Sequence, residues 1–91
     1  MLDELAECIT APSDVESEHE ARELERSLNR FLRTLPARDC NIFLRRYFFT
    51  ESLTQIAARY GLRENHVAVL LSRTRKKLRV YLSKEGFFHE P

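Results

Sequence analysis

Between Arg63 and Arg79 this 91-residue chain gathers side chains that bind anions and read base edges. Arg63, Glu64, Asn65 and His66 stand together. Arg73, Arg75, Lys76, Lys77 and Arg79 follow. Arginine can pair with the O6 and N7 edge of guanine, asparagine with the N6 and N7 edge of adenine, and glutamate can accept from cytosine N4. Lysines and arginines beside phosphates release condensed counterions, which drives binding. The first four residues are therefore candidate base readers, joined by Val69 on the outward face. Arg73, Arg75 and Lys76 are candidate phosphate contacts. Lys77 and Arg79 come next, and Arg59 upstream could brace the backbone.

Two helices would have to hold this set. Ser52 precedes an apolar-periodic run and Gln55 lies three residues on, the pattern of a capping box. Leu53, Ile56, Ala57 and Tyr60 recur at helical spacing, and Gly61 can take the left-handed conformation that ends a helix. Val67, Leu70, Leu71, Thr74, Leu78, Tyr81 and Leu82 then form one mostly apolar stripe on a long second helix. Ala57 is small enough to let the two helices cross closely. A short helix, a glycine turn and a long helix with a basic outer face make a helix-turn-helix, whose second helix enters the major groove.

Charge supports that arrangement. The net charge is only +1, but residues 1–34 hold four Lys/Arg against nine Asp/Glu, a balance of −5. Residues 35–91 hold eleven against five, a balance of +6, and residues 63–84 alone hold seven basic groups against Glu64. A basic stripe on one helix is the footprint of nucleic-acid binding, and the acidic third should lie away from the duplex. His19, His66 and His89 are scattered, Cys8 and Cys40 lack metal spacing, and no phosphate loop or nucleophile motif occurs. The chain thus reads as no enzyme and as needing no cofactor. It shows no membrane-span pattern or secretory signal, so a cytoplasmic protein with reduced thiols is expected.

Upstream, Met1–Pro12 reads as linker or frayed terminus. Ser13 with Glu16 suggests a capped helix start, continuing through Ala21, Leu24, Leu28, Phe31, Leu32 and Leu35. Glu18–Arg22 and Glu23–Arg26 can pair on its outer face. Pro36 suits the first position of a further helix, with Asp39 in its first turn. Ile42, Phe43, Tyr47 and, more marginally, Leu44 and Phe48 supply its apolar face. It should end near Phe48 or Phe49. Gly86 reads as a stop, and Phe87 and Phe88 could fold back on the core. The expected fold is all-α: a compact bundle of about four helices, with the helix-turn-helix in a three-helix core of winged-helix or homeodomain kind. The domain should span residues 13–86, with 87–91 as a tail.

LPARDCNIFLRRYFF, SLTQIAARYGL and ENHVAVLLSRTRKKLRVYL, in that order, resemble region 4 of sigma-70 family RNA polymerase sigma factors. The likeness is closest to the extracytoplasmic-function type and covers roughly residues 24–84. Leu35-Pro36, Phe43, Arg46-Tyr47, Ile56-Ala57, Gly61, Val67, Leu71, Arg73, Arg75 and Leu78 fall where that pattern puts them. The resemblance implies recognition of the promoter −35 element by the last helix, starting near residue 64. It also implies docking on the polymerase β flap. An anti-sigma factor is a further candidate partner, and a monomer is expected.

Three positions depart from the family. Serine or threonine usually stands where Arg63 is, capping the recognition helix. Asn65 could cap instead if the helix starts two residues late. Lysine or arginine and serine often stand where Ala68 and Val69 are, and both positions should face the groove. The family's region 2 does not fit upstream of residue 13, so the chain reads as an excised domain or a stand-alone fragment, unable to start transcription alone. Two other functions fit the residues. One is a helix-turn-helix regulator of another class, such as a response-regulator output domain. The other is a polymerase or anti-sigma interaction module with little DNA binding.

Overall fold

The computed structural model describes residues 18–87. They form four helices and no strand: α1 Glu18–Arg33, α2 Ala37–Tyr47, α3 Leu53–Tyr60 and α4 Glu64–Lys84. The Ser13 capping box, Cys8, Phe88 and the Met1–Pro12 stretch lie outside the described residues.

Local chemistry sets most boundaries. In α3 both halves of the capping box form: the Gln55 N–H donates to Ser52 Oγ at 3.1 Å, and the Ser52 N–H donates to Gln55 Oε1 at 2.8 Å. Gly61 ends the helix at φ 66°, where a side chain would be strained. Pro36 falls one place earlier than expected. It is the cap of α2, in extended geometry, and its carbonyl accepts the Cys40 N–H at 3.0 Å. The helix ends at Tyr47, and the chain then turns through Thr50 at φ 53°.

Helix α4 packs against each of the other three. Its buried side chains are Val67, Leu70, Leu71, Thr74, Leu78 and Leu82, the expected stripe with Tyr81 half-buried at its edge. They meet Phe31 and Leu32 from α1, Ile42, Phe43 and Tyr47 from α2, and Ile56 and Ala57 from α3. Thr74 satisfies its buried hydroxyl on the Leu70 carbonyl at 2.9 Å. The ring pairs Phe31–Tyr81 and Phe43–Tyr47, at 5.6 and 4.7 Å between centroids, stack in the tilted geometry that aromatics prefer. Cys40 packs half-buried at the rim, as a small apolar residue would, and Phe87 folds back against the core.

Two expectations for the apolar faces differ from the structure. Ala21 is exposed, because the first turns of α1 run beyond the core, whereas Ser27 on the same helix is almost wholly buried. Phe48 is exposed rather than packed, since α2 ends one residue earlier and the chain turns outward there. The surface pairs Glu18–Arg22 and Glu23–Arg26 form at 3.3 and 2.8 Å. A third pair, Arg30–Glu85 at 2.9 Å, ties α1 to the end of α4.

Candidate nucleic-acid interface

The exposed face of α4 follows from its buried one. With Val67, Leu71, Thr74 and Leu78 facing inward, helical geometry turns Asn65, Val69, Arg73 and Lys76 outward. Asn65, Val69 and Arg73 succeed one another at one-turn intervals, and Lys76 continues the row. All four are exposed, Val69 at 38%. His66 and Lys77 flank the row on one side. With Val69, Arg73 and the α2 residues Arg38 and Asp39 they line a cleft of about 180 Å³. Arg38 pairs with Asp39 at 3.6 Å. It is a cation beside the candidate site that inspection of α4 alone overlooks. Its signal in the sequence is its place in the first turn after Pro36.

The start of α4 has an unusual construction. Arg63 holds the cap position in extended geometry and makes no side-chain capping bond. Asn65 does not replace it: the helix begins at Glu64, so Asn65 lies within the first turn. Instead the Thr54 hydroxyl of α3 donates to Glu64 Oε1, joining the two helices of the motif. That contact engages one carboxylate oxygen of a residue expected to read bases. Glu64 also places a negative charge at the helix N-terminus, where the macrodipole favours it.

The remaining candidate residues divide into outward and inward groups. Arg63, Asn65, His66, Arg73 and Lys76 are exposed. Ala68, expected to face the groove, is half-buried, because it lies on the shoulder of the Val67–Leu71 stripe. Arg75 is also half-buried, and its guanidinium donates to the Tyr47 hydroxyl at 2.9 Å. That bond fixes α4 to α2 and separates Arg75 from the exposed row. Arg59 donates through two nitrogens to Glu51, at 3.3 and 3.2 Å, and Arg45 reaches the same carboxylate at 3.4 Å. Arg46 donates to the Glu51 carbonyl at 3.2 Å. Glu51 thus gathers α2 and α3 at the turn before the motif. Among the described residues no group of three or more His, Cys, Asp or Glu could hold a metal ion.

At the far end of α4 the Arg30 guanidinium holds the Glu85 carboxyl below the ordinary carboxylate range, chiefly through its hydrogen bond. Glu85 in return raises the pKa of Arg30. This clamp belongs to the scaffold, at the opposite end of α4 from Arg63 and Asn65.

Residues 25–78 match the family model described as "Sigma-70, region 4". No curated protein and no solved structure matches the chain significantly.

Proposed function

The chain belongs to the sigma-70 region 4 family, and from that premise we propose that α4 reads the −35 element of a promoter from the DNA major groove. A region 4 domain is a non-catalytic, DNA-binding part of a transcription-initiation sigma factor, and it engages promoter DNA and RNA polymerase. Here Asn65, His66 and Arg63 meet base edges at the start of the helix, with Glu64 beside them. Arg73 and Lys76 neutralise phosphates, with Lys77 and Arg38 alongside. Arg75 serves through its bond to Tyr47, which fixes α4 beneath the exposed cations.

The observation that carries this reading is the single exposed row Asn65–Val69–Arg73–Lys76 on a helix whose opposite face is sunk in the core. A helix held so firmly presents its side chains in fixed register, which base readout requires. Docking on the polymerase β flap, an anti-sigma factor as a further partner, a monomeric state and a cytoplasmic location complete the proposal. No helix among the described residues is long and apolar enough to cross a membrane.

A second reading has one observation in its favour. Val69 and Ala68 offer no hydrogen bonds where the family often carries polar groups, as a domain that mainly binds polymerase would. Selection from a random duplex library at low salt separates the two. Enrichment of one sequence supports promoter reading. Capture of the β flap with no duplex retained selects the interaction module.

A further inference from the structure

Resting on the proposal that α4 enters the major groove, we infer that Val69 is a specificity-determining residue that packs against the 5-methyl group of a thymine, so that the site contains an A·T pair at that position. Three observations lead there. Val69 stands in the exposed row, one turn after Asn65 and one turn before Arg73. Its branched side chain is 38% exposed, and of the exposed large apolar side chains, with Phe48, Phe49 and Val80, it is the one among the candidate base readers at the start of α4. Glu64, the neighbour able to accept from cytosine, is already bonded to Thr54.

The chemistry of the groove then decides the base. Each base pair shows a distinct major-groove pattern, and only thymine offers an apolar methyl there. Against guanine, adenine or cytosine edges, the valine would cover polar atoms without bonding them, which leaves them unsatisfied. Against thymine it removes apolar surface from water on both sides. Asn65 lies about 6 Å away along the helix, between one and two base-pair steps. Its amide can take the N6 and N7 edge of an adenine in a neighbouring pair. The start of α4 thus favours an A·T-containing step flanked by phosphates that Arg73 and Lys76 hold.

The test uses the full chain and the duplex enriched from the random library. Each thymine is replaced in turn by deoxyuridine, which removes the methyl and keeps every hydrogen-bonding group. Affinity is read by fluorescence anisotropy at constant salt. One replacement should weaken binding about fourfold, the worth of one buried methyl-sized group. In the Val69→Ala variant the same replacement should weaken binding clearly less, because alanine leaves only its Cβ near the thymine methyl, and the circular dichroism of that surface variant should match wild type. Equal affinity for every uracil duplex, or an undiminished loss in Val69→Ala, overturns the inference while leaving promoter reading intact. Enrichment of no duplex at all overturns both.

Discussion

Two helix starts lie eleven residues apart, at Leu53 and Glu64, and are built in different ways. The start of α3 is closed by its own sequence: Ser52 and Gln55 satisfy each other's backbone N–H groups. The start of α4 has no side-chain cap and is held from outside by Thr54. The start of α3 is therefore locally self-sufficient, whereas the start of α4 depends on its neighbour. Arg63 at the cap of α4 is exposed and offers a cation in place of the side-chain oxygen that would accept a backbone N–H.

Leu71 is 1% exposed and underlies the whole exposed row of α4. Leu71→Ala should cost about 2–5 kcal/mol in denaturant unfolding, through lost contacts and a cavity. Because α4 joins all the other helices, every spectroscopic probe should report the same shifted transition. A transition confined to one helix would show that α4 is not the common core.

The two caps should respond with opposite signs. Ser52→Ala should destabilise by about 1 kcal/mol, while Arg63→Ser should stabilise by about 0.5–1 kcal/mol by supplying the missing acceptor. Arg63→Ser should also weaken duplex binding. A loss of stability in both variants would mean that Arg63 already satisfies the helix end by a route the structure does not contain. Breaking the external tie is a smaller change. Thr54→Val should destabilise by about 0.5 kcal/mol, since a surface hydrogen bond exchanges with water. In a double-mutant cycle with Glu64→Ala, Thr54→Val should cost nothing once Glu64 is gone, while the loss of the Glu64 charge from the helix N-terminus remains in both backgrounds.

The clamp at the other end of α4 gives the mildest effect and a pH signature. The folded-state pKa of Glu85 is lowered, so its contribution is present at neutral pH and lost as pH falls through that lowered value. Glu85→Gln should lower the Tm slightly at pH 7. The gap to wild type should begin to narrow below the ordinary carboxylate pKa and close as the pH falls through the lowered value, where the folded carboxyl takes up its proton. A gap that persists in acid would assign the effect to packing.

What could be read in the sequence was what neighbouring residues settle among themselves. The capping box at Ser52, the left-handed Gly61 and the stripe from Val67 to Leu82 are periodic or short-range signals, and each appears in the structure. Three further features depend on contacts between residues far apart in the chain. Ser27 is buried because Arg30 and Glu85 converge on its hydroxyl. Arg75 turns toward Tyr47, 28 residues earlier, so its spacing alone grouped it with the outward cations. Arg38 joins the cleft only because α2 packs beside α4. For the candidate site, the row on α4 was legible from its period, and the surroundings that engage Glu64 and Arg75 were not.

In the proposed complex the exposed cations Arg73 and Lys76 of α4 hold DNA phosphates. The salt dependence of binding to the enriched duplex tests this, for wild type and for the Arg73→Ala, Lys76→Ala double variant. Each lost phosphate contact should reduce the slope of log K against log salt by about 0.9, so the double variant should fall by about 1.8. An unchanged slope and affinity would contradict the assignment.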